Sequence, residues 1–584
     1  MLRRLGNLSD FYQLMKTSSS KTIVIVGGVA GGASCATRLR RMDESAEIIV
    51  LERGPYASFA NCGLPYHVGG VIGNEDDLLV AKGLLFKDRY AIDLRTRHEV
   101  IAIDRAAHEV EIRDLAADRI YRQRYDALVI APGAAPLRPP LPGIDLPGIF
   151  TLRNIPDTRG IKQWISQRAA KTAVIVGGGF IGLEMAENLN HLGLDVTVVE
   201  MLPQVMPPMD PEMVTPVHDY LTEKGISLAL GTAVSGFAET GGHLEVQTQD
   251  GTAHSADIVI LAIGVRPETT LAKAAGLTLG ERGGIRVDEQ MRTSDVHIFA
   301  VGDAVEVRDR VTGAWTLLAL AGPANRQGRI AADAICGLPA AFHGTQGTAI
   351  CGIFDLAVAS TGASEKVLQR AGITDYEKIY LHAGHHAGYY PGAERIHLKL
   401  IFRTSDGLIL GAQAVGLAGV DKRIDVIAMA IQKSATVYDL EEAELCYAPQ
   451  FGSSKDPLNF AGMIAANHLR GDDPLVHWQS PQLANLDLLD VRDPDEFAAG
   501  HAPGAINISL HTLRHRLGEL SKERPLAVYC AVGGRAHNAV RLLRQHGFDA
   551  ANLSGGYTTF RHLTAAVGAY SARLFNPIHQ SIPP

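Results

Sequence analysis

Six cysteines, at positions 35, 62, 336, 351, 446 and 530, are spread over 584 residues with no C-x-x-C pair. That spacing excludes a disulfide scaffold and a zinc site, so each is weighed as a single thiol. Two have informative neighbours. Cys62 lies in SFANCGLPYHVGG (58–70), and Cys530 closes the apolar run LAVYC, with Arg535 opening a helical pattern after Ala-Val-Gly-Gly. A loop of six residues leading into a helix N-terminus turns backbone N–H groups toward the sulfur and favours its anion. Gly533 and Gly534 permit the tight curvature. A purely structural module is the other reading of that loop. For Cys62 the bland alternative is a buried structural cysteine.

The elements that must position these thiols begin with KTIVIVGGVAGGASCATRLRRMDESAEIIVLE (21–52), which reads as strand, glycine turn, helix and strand. Gly27 and Gly32 fill the first and third positions of a dinucleotide-binding turn, the middle position is Val29, and Glu52 stands about 20 residues on, where an acid holds a ribose hydroxyl. A second unit, TAVIVGGGFIGLEMAENLNHLGLDVTVVE (172–200), fills all three positions with Gly177, Gly179 and Gly182 and closes on Glu200. An acid there suits a free 2′-hydroxyl and favours NADH over NADPH. DALVIAPGAAP (126–136) and DIVILAIGVRPE (257–268) carry the chain between the two lobes. In TSDVHIFAVGDAVE (293–306), Asp303 follows a strand and a glycine, which suits a flavin ribityl hydroxyl or a helix cap.

Apolar residues make up 46% and charged residues 20% of the chain, the profile of several buried cores. A net charge of -8 with no basic face argues against nucleic-acid binding. The N-terminal MLRRLGNLSDFYQLMKTSSSK lacks the apolar centre of a signal peptide, and no run reaches the ~18 apolar residues of a membrane span. The expected location is cytoplasmic, with no membrane partner.

Two dinucleotide units in tandem resemble the two-dinucleotide-domain flavoproteins, which bind FAD in the first domain and NAD(P)H in the second. SFANCGLPYHVGG, LAGPANRQGRIAADAI, GTQGTAICGIFDLAVASTG and CYAPQFGSSKDPLN are similar to segments of the coenzyme A disulfide reductases. LLDVRDPDEFAAGHAPGAINI and the loop from Cys530 to Arg535 resemble a rhodanese domain. Such fusions act as NAD(P)H-dependent persulfide or polysulfide reductases.

The resemblance implies an α/β chain: two Rossmann-like domains, an α+β dimerisation domain and an α/β rhodanese domain. The expected boundaries are an N-terminal extension over 1–20, read as a disordered tail or start-site artefact, then FAD binding over 21–150 and 271–344 and NAD binding over 151–270. Dimerisation follows over 345–466, a linker over 467–483 and the rhodanese over 484–584, with a short extra tail after 570.

The same resemblance makes Cys62 the redox thiol beside the flavin. A two-cysteine reductase has its second cysteine five residues on, where this chain has His67, so one thiolate passes through a mixed disulfide, a persulfide or a sulfenate. Relatives that are NADH peroxidases carry a histidine where Ala30 stands here, which lowers that reading. An NADH oxidase using a Cys62 sulfenate and a flavin-based redox-sensing interaction protein are the alternatives. Glu52 and Arg53 join the FAD site. Arg38 and Arg41, three apart on one helix face, with Ser58 and Asn61, are expected to hold coenzyme A. A solvated basic helix end competes for the arginines. Tyr447 resembles a family tyrosine that reaches over the partner subunit's active-site cysteine, and Tyr389 or Tyr390 a second, with packing as their other reading. His382, His385 and His386 lack a carboxylate or cysteine at ligand spacing, so a solvated loop and no metal are expected. Sulfane sulfur is expected on Cys530, with Arg535 closing the loop.

Overall fold

The computed structural model describes residues 20–81 and 83–568. The N-terminal extension and the tail after 570 lie outside them, apart from residue 20. The described chain divides into two compact units. One is built from residues up to 140, 148–170 and 260–345, the other from 141–147, 171–259 and 346 onward. The expected fold class holds: two dinucleotide-type sheets, a mixed domain and a rhodanese-type sheet are all present.

In the first unit, β1 (Thr22–Val26) is central in a parallel five-stranded sheet ordered Ile298–Ala300, Ala127–Ile130, β1, β2 (Glu47–Glu52), Asp93–Thr96. Strands covered on both faces need continuous apolar runs, and Ile23, Val24 and Ile25 are each 1% exposed or less. At about 1.5–3 kcal/mol per buried aliphatic side chain, such runs outweigh weak local propensity. α1 (Ala30–Met42) follows the glycine turn and packs along the helix Ala321–Ile335. The two backbones approach closely because Gly328 lies against Gly31, where a Cβ would stand 2.2 Å from the Gly31 oxygen. The helix Ile155–Arg168 belongs to this unit and not to the second, and Lys162 Nζ donates to the His67 carbonyl at 3.0 Å.

The second unit repeats the pattern. β3 (Thr172–Val176), α2 (Phe180–His191) and β4 (Asp195–Glu200) form a parallel βαβ, followed by α3 (Pro211–Glu223). Residues 349–416 supply a five-stranded antiparallel sheet ordered 349–353, 356–362, 409–416, 395–402, 377–384. The helix α4 (Pro457–Leu469) then leads toward the last sheet. That sheet is parallel, ordered Leu475–Val476, Ala550–Leu553, β5 (Leu526–Tyr529), Asp487–Asp490, Ile506–Asn507. Its helices include α5 (Gly534–Gln545) and α6 (Gly556–Gly568).

Two expectations change. The stretch 467–483 is not a linker throughout: Leu475–Val476 pairs with Ala550–Leu553, and Trp478 lies in the core of the same sheet, 8% exposed. His382 and His386 are not in a solvated loop. His382 sits on the strand Glu377–Gly384, shares a 2.8 Å Nδ1···Nδ1 contact with His397, and meets Thr559 Oγ1 of α6 at 2.8 Å. His562 of α6 closes an edge-on cluster with both rings. Three-residue polar patterns in H-x-x-H-H read as exposed, but the strand pairing turns His382 inward. Burial holds His397 down to about 4 and His562 to about 3. No described helix is long and apolar enough to cross a membrane.

Candidate active site

The two glycine turns are built alike. Gly27 and Gly177 hold φ of +99° and +109°, the left-handed region that glycine enters without strain. A Cβ on Gly32 would stand 1.9 Å from the Gly27 oxygen, so α1 can follow its strand this closely only without a side chain there. The odd Val29 is explained as well. It is the N-cap of α1 at φ -100°, and Gly179 caps α2 at φ -82°, conformations open to any residue. A Cβ on Gly179 would point into open space beside the helix N-terminus, room that a pyrophosphate needs.

Each turn is locked by its own acid. Gly28 N–H donates to Glu52 Oε2 at 2.9 Å and Gly54 N–H to Oε1 at 2.7 Å. Gly178 N–H and Leu202 N–H donate to Glu200 in the same way, both at 2.7 Å. An ionised carboxylate offers about four lone-pair sites, so each acid keeps two for a ribose hydroxyl. Gly28 and Gly178 were not among the expected residues, although they stand next to the first glycine of each fingerprint.

Asp303, in the short helical turn Gly302–Ala304, is half-buried, and burial raises its pKa against the opposing pull of Arg153. Arg153 escaped the sequence reading, since nothing in its neighbourhood carries a motif. It precedes the capping box of Asn154 and Asp157, which fixes its backbone, and its carbonyl accepts from Asn61 Nδ2 at 3.3 Å. Arg53 is exposed and reaches Glu268 Oε2 at 3.3 Å. A desolvated carboxylate near a half-buried guanidinium, beside a glycine turn, fits a ligand carrying hydroxyls and phosphates, as FAD does.

Cys62 stands in the middle of the helical turn Asn61–Gly63 and is exposed. Its loop is tied to the first glycine turn: Ser58 N–H donates to the Gly28 oxygen at 2.8 Å, and the Ser58 oxygen accepts from Val80 N–H at 2.8 Å. Ser58 adopts φ +49° to do so. His67 is buried, with Nδ1 2.8 Å from the Ile72 oxygen. Burial pushes the thiols of Cys35 and Cys351 up, and that of Cys336 up to about 11. Those three stay protonated at neutral pH, while Cys62 and Cys446 are the exposed thiols.

The expected coenzyme A arginines separate. Arg38 Nε is bound to Asp333 Oδ1 at 2.7 Å, whereas Arg41 is exposed. The neighbouring Arg40 is buried and donates to five backbone carbonyls, including those of Tyr90 and Ala46. Tyr389 and Tyr447 are brought together, OH to OH at 2.6 Å, both exposed. Tyr390 instead lies edge-on to His386 at 5.6 Å.

At the other thiol, Cys530 directly follows β5 and is 1% exposed, with Gly533 N–H donating to its Sγ at 3.1 Å. Arg535 forms a fork with Glu496, at 2.6 and 2.7 Å, and this pairing holds it cationic. Glu496 was legible as the last residue of the capping box that begins at Asp493.

Paired dinucleotide turns, an exposed thiol on a loop whose backbone is hydrogen-bonded to the first of them, and a second thiol beside a backbone N–H in a glycine loop define a nucleotide-dependent oxidoreductase joined to a sulfur-handling domain. The chain belongs to the pyridine nucleotide-disulphide oxidoreductase family: that family matches residues 21–328, its dimerisation domain 348–456, and a rhodanese-like domain 476–563. It is 36% identical over 446 residues to a coenzyme A disulfide reductase of Staphylococcus haemolyticus, covering 76% of this chain and 99% of that one. The reduced Bacillus anthracis CoADR-RHD superposes with a TM-score of 0.92 at 45% identity, covering 94% of this chain and 99% of that chain. A NAD-dependent persulfide reductase from A. fulgidus superposes with a TM-score of 0.86 at 37% identity, covering 92% and 100%.

Proposed function

We propose that this chain is an FAD-dependent, NAD(P)H-driven reductase of coenzyme A persulfide or disulfide, or of polysulfide, working through Cys62, with Cys530 handling sulfane sulfur. The observation that carries the reading is Cys62 itself: an exposed thiol, tied through Ser58 to the dinucleotide turn at Gly28, with buried His67 where a second cysteine would stand.

FAD, when bound, supplies the two-electron path from the nicotinamide to sulfur. Gly27, Gly32, Glu52 and Asp303 would hold it, and Gly177, Gly179, Gly182 and Glu200 would hold NADH, with NADPH the poorer donor. The Cys62 thiolate attacks the inner sulfur of the persulfide, making a Cys62–S–S–CoA bond and expelling hydrosulfide. With coenzyme A disulfide the same attack expels a coenzyme A thiolate. Two electrons and one proton then release coenzyme A thiol and restore the Cys62 thiolate. The proton has a source in the Tyr389–Tyr447 hydroxyl pair. Arg41 and Ser58 are assigned to coenzyme A. Arg38, held by Asp333, acts on the ligand only by exchanging that partner.

The chain is read as a cytoplasmic homodimer with no membrane or nucleic-acid partner, supported by widely spaced cysteines that form no C-x-x-C pair and by its match to a dimerisation domain. The deciding experiment is anaerobic steady-state kinetics with coenzyme A persulfide, coenzyme A disulfide, glutathione persulfide and polysulfide. Sustained NADH consumption with release of hydrosulfide or thiol supports the reading. Consumption only with oxygen points to the NADH oxidase, and none with any of them to a redox sensor.

A further inference from the structure

We infer that Asp473, at the end of the segment leading from α4, is a positioning residue for the Cys530 loop. This rests on the reading of Cys530 as a sulfur-carrying thiol. Gly533 holds φ +104°, the conformation that aims its N–H at Cys530 Sγ, 3.1 Å away. Glycine alone does not secure that conformation, because it enters many others equally well. Its carbonyl is what the surroundings grip. It accepts the His537 backbone N–H at 2.8 Å and the Asn552 side-chain Nδ2 at 3.3 Å.

Both donors belong to residues bound by one carboxylate. Asp473 Oδ2 accepts from Asn552 Nδ2 at 3.2 Å and lies 2.8 Å from His537 Nδ1, a contact that raises the histidine pKa. Asp473 and Asn552 are 4% and 5% exposed. Among the described residues, Asp473 Oδ1 and Asn552 Oδ1 are buried without a hydrogen-bond partner, so the carboxylate makes its contacts on the side toward the loop. A charge buried this deeply is costly unless its hydrogen bonds are made, which keeps the arrangement rigid.

The anchor is reinforced along α5. His537, Arg541 and Arg544 stand at i, i+4 and i+7, one helix face. They meet Asp473, Asp472 and the Gly471 carbonyl in turn, with Arg541 Nη1 at 2.9 Å from Asp472 Oδ1 and Arg544 Nη2 at 3.4 Å from the Gly471 oxygen. Three consecutive residues outside the Cys530 loop thus clamp the helix that the loop feeds. Of the three, only Asp473 also reaches Gly533 through Asn552.

The test uses the full-length flavoprotein and thiosulfate. The Cys530 thiolate takes the outer sulfur, forming Cys530–S–S⁻ and releasing sulfite, and cyanide then removes that sulfur as thiocyanate and restores the thiolate. In Asp473→Asn, and separately in Asn552→Ala, the rate of sulfur uptake should fall about ten-fold, the scale of one lost buried hydrogen bond to a charged group. KM for thiosulfate should stay within about two-fold, and the sulfur bound per chain at completion should not change. The double variant should lose no more than either single one, as expected of links in one chain. Asp472→Ala, which removes the carboxylate from Arg541 but leaves the Asp472 carbonyl to accept from it at 2.7 Å, should stay within about two-fold of wild type. If Asp473→Asn does not fold, His537→Ala and Asn552→Ala decide the matter. Wild-type uptake rates in these variants, or rates that fall only in proportion to the sulfur bound at completion, would overturn the assignment. Sulfurtransfer that survives in Cys530→Ser would instead overturn the reading of the thiol, and the positioning role with it.

Discussion

Glu200 and Gly178 are joined by a 2.7 Å hydrogen bond from the glycine N–H to Oε2, and Glu200 Oε1 is held equally by Leu202 N–H. The carboxylate is therefore a fixed negative charge at the end of β4, followed by exposed Met201 and not by a cation. A 2′-phosphate meets that charge, so kcat/KM should favour NADH over NADPH by at least about ten-fold, or roughly 1.4 kcal/mol. Glu200→Ala should narrow the ratio. Equal kcat/KM for the two donors in the wild-type enzyme would show that the acid faces away from the ribose.

Cys62→Ser should abolish NADH-dependent reduction of coenzyme A persulfide and disulfide, because serine cannot form the mixed disulfide. FAD should remain bound and still be bleached by NADH, since the glycine turn and Glu52 are untouched. Turnover of persulfide at the wild-type rate in this variant would end the mechanism proposed above.

Gly32→Ala and Gly179→Ala should behave oppositely. At 32 the added Cβ would press to 1.9 Å from the Gly27 oxygen, whereas at 179 it meets nothing within 4 Å. The first should be recovered with little FAD and a lowered thermal midpoint. The second should fold with FAD and instead raise the KM for NADH several-fold by crowding the pyrophosphate. Equal FAD content in both proteins would refute this account of the first turn.

The histidine cluster sets an acid limit. His397 and His562 are held near 4 and 3 by burial, and His382 is also held well below its usual value. Arg395 opposes protonation of His382 and His397, and Arg561 that of His562, while Glu212 favours it at His562. Folded pKa values below the unfolded ~6.5 mean that unfolding takes up protons. Stability is unaffected above pH 6.5 and falls as pH drops from 6.5 toward 4. By pH 5 His397 and His562 each account for about 1–2 kcal/mol at ~1.4 kcal/mol per pKa unit. His562→Phe, which preserves an aromatic ring, should lose less of its thermal midpoint between pH 7.5 and 5 than wild type. An identical drop would remove the cluster as the cause.

Tyr447→Phe should slow reductase turnover roughly ten-fold or more while NADH still reduces the bound FAD at close to the wild-type rate, because one hydroxyl of the Tyr389–Tyr447 pair is gone. Under the function proposed above, this tyrosine serves the partner subunit's thiol. Mixing Cys62→Ser and Tyr447→Phe subunits should then restore activity, since one of the two sites in a heterodimer carries neither change. No recovery after proven subunit exchange would place the hydroxyl elsewhere.

The dinucleotide turns were legible because backbone geometry restricts residue type there: left-handed φ at Gly27 and Gly177, and helix packing at Gly32, leave glycine as the residue that fits. The sequence by itself also determined that Cys62 has no cysteine five residues on and that Glu200 closes its strand without a following cation. It could not determine where polar side chains far apart in the chain meet. That Arg38 is taken by Asp333, 295 positions away, follows from the packing of α1 on the helix Ala321–Ile335. That His382 is buried against His562 follows from seating α6 on the strand Glu377–Gly384. Asp473 looks like one acid in a polar connector, and only the parallel pairing of Leu475–Val476 with Ala550–Leu553 carries it to Asn552 and the Cys530 loop. Local conformation is written in neighbouring residues, whereas the burial of a charge depends on which surfaces the whole chain brings over it.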